Sequence, residues 1–501
     1  MIRTVKLYIL LCVSAFICLI SCNKNPSLWD ELKNNANSEE KREMIKFLEK
    51  NAPGTASVAP IFFEPNGKYC SINFDTIHSE ERLKQIIKQK KLLQSVVTKD
   101  DNKKENFNEI NAYIDHVISV YHKNPWKMNI PKDVAYNNLL PYKIYQEDFI
   151  GWYPFYSKYF SFLNKKIPSK KLPRKEIDSI IWTEVKAHDS LKLFGGGLDA
   201  TRLTFWPGIK EIKTIKSGDC QSISTLMVYL YRHLGIPATI DFTPYWGGVN
   251  SGHGLPVAWD SNLQKFTPIK GDIFEEKNRL AKAFRISFKL TGEWSENIVP
   301  LLQNKLTFPI ESLKNDHWVD VTSSHVSTSN IEVEIPEYSG KIAFICVYNY
   351  GKWKPIYYAK REKSGKFIFR NMGRDITYRY GYFDKNEALT LASKVLHLQK
   401  EGNIKILNDI SGEENQNISV LNIEKINVGS EAWVKKNTSY TLNYLGENGE
   451  WIPLQTVLTT KDSLVTFKNI PQKSLYILQN NSSNKKLERP FRVAKGEIIW
   501  Y

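Results

Sequence analysis

The amino-acid sequence predicts an α+β protein in which a mainly helical N-terminal region precedes a mixed core and two β-rich modules. Apolar residues recur at helical spacing in the first third of the chain, and a capped helix in the middle is followed by short strands. The last third is strand-like and interrupted by turns. A chain of 501 residues with 42% hydrophobic and 24% charged residues is long enough, and typical enough in composition, for several globular domains.

Residues 1–22 have the features of a lipoprotein signal peptide. Arg3 and Lys6 precede an apolar stretch that is short for a membrane span. The sequence Leu-Ile-Ser-Cys at 19–22 resembles the lipobox of bacterial lipoproteins, whose cysteine is acylated and becomes the new N-terminus. This resemblance implies a lipid anchor at Cys22 and a place in the bacterial cell envelope, on the outer membrane, facing the periplasm or the surface. The alternative is an ordinary signal peptide with an unrelated cysteine.

The net charge does not indicate a nucleic-acid partner. The formal charge of +16 falls to +14 when Arg3 and Lys6 leave with the signal peptide. The remaining lysines are scattered, and no basic stripe or binding motif collects them. A lysine-rich surface that faces an anionic envelope explains the charge.

Three cysteines remain beyond Cys22, namely Cys70, Cys220 and Cys346. An odd number in an oxidising compartment indicates that one thiol is kept free. Cys70 and Cys346 either form a disulfide or are two unrelated buried thiols.

The N-terminal region, 23–168, is predicted to be mainly helical. Helices are expected over 79–99 and over 106–122, where apolar residues recur at helical spacing. The segment 125–156 interleaves four prolines with aromatic residues and carries no recognisable chemistry, so packing is its expected role.

The C-terminal part contains an internal repeat at an offset of 98 residues (451 − 353). The first copy has Trp353, Pro355, Phe369, Asn371 and Tyr378, and the second has Trp451, Pro453, Phe467, Asn469 and Tyr476. A fixed offset in strand-like surroundings predicts two tandem β-sandwich-like modules, over 316–410 and 415–501, with a helical interruption around 385–400. Surface tryptophans can stack on sugars, but their equivalent positions in both copies favour a core role.

The core, predicted over 169–312, contains the candidate nucleophile Cys220. Ser217 and Asp219 are helix-capping residues, and Gly235 and Pro237 follow at the other end in the usual order. A cysteine in the first turn of a helix faces unpaired amide N–H groups and the positive end of the helix dipole, which favour the thiolate. The alternative is a buried structural thiol.

His253 is the candidate proton carrier for that thiol. It follows Cys220 by 33 residues (253 − 220), in a glycine-rich turn between two predicted strands. The order helix, strand, turn with histidine and strand allows the two side chains to meet, and a cysteine nucleophile needs such a base. Alone, His253 would be an ordinary loop histidine.

Three short motifs resemble the core of the transglutaminase-like superfamily: Gly-Asp-Cys at 218–220, Leu-Gly-Ile-Pro-Ala at 234–238 and Gly-His at 252–253. That superfamily includes transglutaminases, peptide N-glycanases and bacterial peptidases. The similarity covers about 170–290, and segment 125–156 resembles one found in transglutaminase-like lipoproteins of Bacteroidota-type bacteria. The resemblance implies a papain-like α+β core with Cys220 as nucleophile and His253 as base, and no cofactor. The other histidines show no ligand spacing, so no metal site is expected.

The acid that orients the histidine in this family is replaced here by Lys270. A hairpin turned near 261–262 would place His253 opposite residue 270 or 271, with Asp272 close by on the adjacent strand. Asp260 would be roughly 23 Å from His253 along the strand and is excluded. Asp272 is therefore the candidate acid, and the alternatives are a backbone carbonyl or no acid at all.

An oxyanion hole requires the Cys220 backbone N–H and a second donor. Trp206, fourteen residues upstream (220 − 206), is the candidate for an indole N–H, with a core aromatic as the alternative.

Two classes of function follow. The first is a cysteine hydrolase that cleaves peptide or amide bonds in peptides, proteins or glycopeptides. The second is a binding lipoprotein whose core has lost turnover and which recognises protein or glycan through its β modules. The intact Cys and His motifs favour the first class, and Lys270 favours the second.

Overall fold

The computed structural model confirms the α+β class, with 28% helix and 36% strand in antiparallel sheets. It describes residues 26–501 except for 53–55, 78, 124–129, 160, 162, 164–166, 168–171, 188–207, 216–218, 270–273, 275, 302–312, 385, 408–414, 422–433, 447–448, 463, 474, 483–485 and 495.

The described α-helices lie in the N-terminal half of the chain. Their bounds are α1 Leu28–Asn34, α2 Glu39–Asn51, α3 Glu80–Lys90, α4 Phe107–Lys123, α5 Lys132–Asn138, α6 Trp152–Tyr159, α7 Arg174–Ala187, α8 Ile209–Ile215 and α9 Cys220–His233. Within the described residues, no helix combines the length and the apolar character that a membrane crossing requires.

Two sheets belong to this half. A three-stranded sheet has the order β2-β1-β3, and a five-stranded sheet, the core sheet, has the order β6-β5-β4-β7-β8. The strands are β1 Ser57–Phe63, β2 Tyr69–Cys70, β3 Leu93–Lys99, β4 Ala238–Thr243, β5 His253–Asp260, β6 Lys265–Pro268, β7 Phe284–Ile286 and β8 Trp318–Asp320. Strand β8 falls inside the first predicted β module but completes the core sheet.

One hydrophobic core joins the N-terminal helices to the core sheet. Leu28 of α1, Tyr113 of α4, Trp152 of α6, Tyr229 of α9 and Ile240 of β4 belong to a single buried cluster. The boundary predicted near residue 168 therefore does not separate two hydrophobic cores.

The helix predicted over 79–99 is wrong in its second half. Helix α3 ends at Lys90, and Lys91 takes the left-handed conformation with φ 49°. Residues Leu93–Lys99 form strand β3, which pairs with β1. This stretch contains Val96, Val97 and Thr98, and β-branched residues favour strands. The other predicted helix, 106–122, is confirmed within one residue at each end as α4.

The C-terminal part consists of two units of the same topology. In the first, β9 pairs with β12 and the larger sheet runs β11-β10-β13-β15-β16; in the second, β17 pairs with β20 and the sheet runs β19-β18-β21-β22-β23. The strands of the first unit are β9 Thr328–Val333, β10 Ile342–Asn349, β11 Lys352–Lys360, β12 Phe367–Gly373, β13 Ile376–Phe383, β14 Leu389–Leu391, β15 Val395–Leu398 and β16 Ile404–Leu407. Those of the second are β17 Asn415–Leu421, β18 Ser439–Leu445, β19 Trp451–Leu458, β20 Leu464–Pro471, β21 Tyr476–Asn480, β22 Lys486–Ala494 and β23 Glu497–Trp500.

The repeated residues occupy equivalent places in the two units. Tyr378 donates its hydroxyl to the Gly373 carbonyl at 2.7 Å, and Tyr476 donates to the Pro471 carbonyl at 2.8 Å, each bond spanning five residues. Asn371 and Asn469 both take positive φ, 51° and 55°. The repeat in sequence therefore corresponds to a repeat in structure.

The helix expected around 385–400 is wrong, because this stretch contains strands β14 and β15. Asp384 accepts hydrogen bonds from the N–H groups of Asn386 and Ala388 at 2.8 and 2.9 Å, and Glu387 has φ 62°. The aspartate therefore stabilises a tight turn instead of capping a helix.

A buried cluster joins the two β units. It includes Cys346, Tyr348 and Trp353 from the first unit and Leu475 and Ile477 from the second. Cys70 and Cys346 are both buried, and neither forms a disulfide, so the alternative of two unrelated thiols is the one observed.

Candidate active site

The helix that carries the candidate nucleophile begins at Cys220. Asp219 is its N-cap, in extended conformation, and its Oδ1 accepts hydrogen bonds from the N–H groups of Gln221 and Ser222 at 3.1 and 3.2 Å. These bonds satisfy two of the N–H groups that a helix start leaves open. Cys220 is partly exposed. The thiol therefore lies at an ordered, solvent-accessible helix start.

From Ser224 onward, α9 is buried on all sides, and it is held by polar contacts as well as by packing. Arg232 is fully buried and donates to the carbonyls of Ala238 at 3.0 Å and of Pro141 and Lys143 at 2.9 Å. Tyr156 donates to the Leu226 carbonyl at 2.9 Å. The described part of the proline-rich segment, residues 130–156, thus packs around α9, as expected of it, and holds the helix that presents Cys220.

His253 is the first residue of β5, beside the first turn of α9. Thr243, the last residue of β4, is its partner in the sheet. A Cβ atom placed on Gly254 would lie 3.9 Å from Ser224 Oγ and 4.0 Å from Gln221 Cγ. The residues that follow Cys220 and His253 are therefore neighbours, and the two candidate residues begin adjoining elements.

The imidazole of His253 lies against the sheet face opposite α9. Strand residues alternate between faces, and Gly254 faces the helix. The His253 ring stacks on Trp246, with centroids 6.0 Å apart and planes at 22°, and meets the edge of Phe274 at 6.1 Å. Trp246 and Phe274 belong to the buried cluster on that face. Two aromatic rings therefore set the orientation of the imidazole.

The loop 244–252 leads into His253 and is closely packed. Trp246 N–H donates to the Ser251 carbonyl at 2.9 Å, which closes the loop on itself. A Cβ on Gly252 would lie 2.5 Å from the Pro244 carbonyl oxygen and 2.7 Å from that of Thr243. Only glycine fits at position 252, because both obstacles are backbone atoms.

The hairpin after His253 differs in register from the expectation. Asp260 pairs with Lys265 and Val257 with Pro268, and the Ile269 N–H donates to the Pro256 carbonyl at 2.9 Å. The turn is therefore longer than one centred on 261–262, and Gln264, its last residue, takes φ 49°. Residues 270 and 271, which were expected to face His253, lie outside the described residues.

Several predicted site residues lie outside the described residues. These are the candidate acid Asp272, the substituted position Lys270, the oxyanion candidate Trp206 and the lipidation candidate Cys22. Their assignments stay predictions.

A buried charge network that the sequence did not reveal lies on the same sheet face as His253. Asp241, fully buried in β4, accepts hydrogen bonds from Arg285 Nε and Nη2 and from His325 Nε2, each at 2.8 Å. Burial alone would raise the pKa of Asp241, but Arg285 and His325 outweigh it and hold the pKa below its ordinary value. The Phe274 ring lies between the rings of His325 and His253, at 4.8 and 6.1 Å. The signal for this network was the single charged residue in strand β4, whose other residues are apolar or threonine.

Among the described residues, no group of three or more histidine, cysteine, aspartate or glutamate side chains is placed to hold a metal ion. No protein-family model matches this chain, and no curated protein matches it significantly.

Proposed function

We propose that this chain is an envelope lipoprotein with a transglutaminase-like cysteine centre that hydrolyses peptide or amide bonds. Cys220 attacks the carbonyl carbon and forms a thioester, and His253 accepts the thiol proton and delivers it to the departing amine. Water then attacks the thioester, His253 accepts its proton, and the carboxylic acid leaves as the thiol is restored.

One observation carries the proposal. A capped helix begins at a partly exposed Cys220, and its first turn packs beside the first residues of the strand that begins at His253. The helix start presents the thiol, and the adjoining strand supplies the proton carrier.

The register of the hairpin formed by β5 and β6 supports Asp272 as the acid. From Val257 and Pro268, each step back along β5 is matched by one step forward along its partner. If this pairing continued past the described end of the partner strand, position 272 would stand opposite His253; residues 270–273 lie outside the described residues. An acid at that place would hold the imidazole in its working tautomer.

The first experiment measures the reactivity of Cys220. Iodoacetamide should alkylate it at pH 6 to 7 far faster than it alkylates a free thiol, and His253→Gln should slow this reaction at least tenfold. Slow alkylation of the wild type, unchanged in His253→Gln, would contradict the proposed centre.

Asp272→Asn should lower turnover by orders of magnitude with the fold intact, whereas Asp260→Asn, at the far end of the hairpin, should not.

The second experiment separates hydrolysis from transamidation. A thioester can be taken by water or by an amine, and the outcome depends on whether a dry channel delivers the amine. Peptide libraries are incubated with and without a dansylated primary amine and analysed by mass spectrometry. Cleavage that depends on Cys220 and His253 supports hydrolysis, and incorporation of the amine at glutamine overturns it.

A binding lipoprotein without turnover is the second candidate. Two observations favour it: the His253 ring lies on the sheet face away from α9, and Lys270 stands at the acid position of the family. The absence of any turnover in the library experiment, together with slow alkylation of Cys220, would favour this candidate.

The anchor is tested separately. The full-length chain should incorporate labelled fatty acid and partition into detergent, since several acyl chains hold a soluble domain at a membrane. Cys22→Ser should abolish both, and unchanged partitioning would place the anchor elsewhere.

A further inference from the structure

The loop 244–252, which carries the backbone into His253, is held by residues from far along the chain. Asn349 of the first β unit is fully buried, and its Nδ2 donates to the carbonyls of Trp246 and Val249 at 3.1 and 2.9 Å. The Tyr350 N–H donates to Asn250 Oδ1 at 3.0 Å. The loop conformation therefore depends on contacts outside the core.

The second β unit reaches the same loop through one side chain, Arg489. Its Nη2 donates to the Gly247 carbonyl, and its Nη1 donates to Asn250 Oδ1 at 3.3 Å and to the Tyr348 carbonyl. Its Nε donates to the Tyr501 carbonyl at 2.7 Å. One guanidinium group thus joins the loop to both β units.

The guanidinium group of Arg489 is buried among oxygen acceptors that carry no full negative charge. It is 0% exposed, and no carboxylate among the described residues pairs with it. Burial lowers the pKa of Arg489 to about 9. A buried charge without a counter-ion is costly unless hydrogen bonds compensate it, and here carbonyl and amide oxygens do so. Only the planar guanidinium group of arginine can donate hydrogen bonds to all of these oxygens at once.

The contacts that begin at Arg489 extend through the loop 244–252 to the His253 imidazole. Gly247, which accepts from Arg489, follows Trp246 directly, and the Trp246 ring stacks on the His253 ring at 6.0 Å. A shift of the loop would move this tryptophan and, with it, the surface that orients the histidine.

We infer that Arg489 of the second β unit is a positioning residue for His253, 236 residues earlier in the chain (489 − 253), and that the candidate centre is competent only while this unit is docked. This inference rests on the proposed function. It assigns the second β unit a role in the activity of the core rather than in binding alone.

The test uses the full chain and the rate of Cys220 alkylation by iodoacetamide from pH 5 to 9. Arg489→Lys keeps the positive charge but loses the planar guanidinium group. At pH 6 it should lower the His253-dependent rate of alkylation at least tenfold, so that its pH profile approaches that of His253→Gln. Arg379→Lys is the matched control, since Arg379 is also buried and contacts the second unit at Gly449, but binds the Ser393 carbonyl instead of the loop. The control should stay within twofold of the wild type across the profile.

A second variant covers the case in which Arg489→Lys does not fold. Asn250→Ala removes a loop acceptor and leaves the interior of the second unit intact, and it should lower the same rate at least threefold. If the wild-type rate depends on His253 but neither variant changes the profile, the positioning role is overturned and the proposed function stands. If His253→Gln does not change the alkylation rate, the proposed function itself is contradicted.

Discussion

At the scale of single residues, the two glycines on either side of the candidate base differ in the space that they leave for a side chain. A Cβ on Gly252 would overlap two backbone carbonyl oxygens, at 2.5 and 2.7 Å, whereas one on Gly254 would make ordinary contacts at 3.8 to 4.0 Å. The two positions are one residue on either side of His253, so they form a matched pair for testing how closely the loop must pack.

Gly252→Ala should therefore destabilise the protein by about 1–3 kcal/mol, as expected when atoms are forced into a packed site. It should also slow the His253-dependent alkylation of Cys220. Gly254→Ala should change the stability by less than about 1 kcal/mol, because the added methyl group would make only ordinary van der Waals contacts at this buried position. Denaturant unfolding and the alkylation rate measure both effects, and equal losses in the two variants would contradict this packing.

Another residue-scale feature is a stacked pair of histidines in the core, of which His233 is buried and His116 half-buried. The rings of His116 and His233 lie parallel, with centroids 5.0 Å apart, and His116 Nε2 bonds the His233 carbonyl at 2.7 Å. Neither ring nitrogen of His233 has a hydrogen-bond partner among the described residues. Burial, and then the neighbouring His116, lower the pKa of His233 to about 3, and burial also lowers that of His116.

Stability should therefore fall as the pH falls. Between the unfolded pKa of about 6.5 and the folded value, the unfolded chain binds a proton at His233 that the folded chain does not. The loss between pH 6.5 and 4 should be on the order of a few kcal/mol, and His233→Phe should reduce it while keeping the stacked ring. Urea unfolding at several pH values measures this, with His122→Gln on the exposed side of α4 as control. Parallel pH curves for wild type and His233→Phe would contradict the assignment.

At the scale of elements, the start of α9 was predictable because its signals are local. Asp219, Gly235 and Pro237 act within a few residues of the helix ends, and the structure places the helix between them. The strand β3 and the turn at Asp384 were not predictable in this way. There, pairing with β1, which is remote in sequence from β3, and with β13, which directly precedes the turn, decides between conformations that the local sequence allows.

The cap of α9 gives an element-scale prediction. Asp219→Ala should cost about 1 kcal/mol of stability, because two N–H groups lose their acceptor, and should slow alkylation of Cys220 as the helix start frays. Ser38→Ala removes the equivalent cap of α2, where Ser38 accepts from the Lys41 N–H. It should cost a similar amount without changing Cys220. An equal slowing in both variants would show that the effect is one of global stability.

The candidate site was only partly predictable for the same reason. Cys220 and His253 stand in short motifs. The histidine ring, in contrast, stacks on Trp246, and the loop that carries Trp246 is held by Asn349 and Arg489. Nothing near Arg489 in sequence connects it with residue 253. Its role follows only from the docking of the second β unit.

At the scale of the whole molecule, the two β units have separate cores and a shared interface. Phe369 and Tyr378 belong to the core of the first, and Phe467 and Tyr476 to that of the second. The interface cluster is distinct from both and buries Ile477 completely.

Residues 415–501 expressed alone should unfold cooperatively, with a lower Tm than in the full chain because the interface cluster becomes exposed. Ile477→Ala should cost about 2–5 kcal/mol in the full chain, where the side chain is buried, and under about 1 kcal/mol in the isolated unit. Circular dichroism and calorimetry on the four proteins measure this. A molten product from 415–501 would mean that the two units share one core.

The position of Arg489 also sets an order of events during biosynthesis. A ribosome makes the chain from its N-terminus, so Cys220 and His253 leave the exit tunnel long before residue 489. The loop 244–252 cannot take its final hydrogen bonds until that arginine has arrived and the second β unit has docked. A nascent or truncated chain would therefore carry the thiol without its ordered partner, and maturation of the centre would be among the last steps of folding.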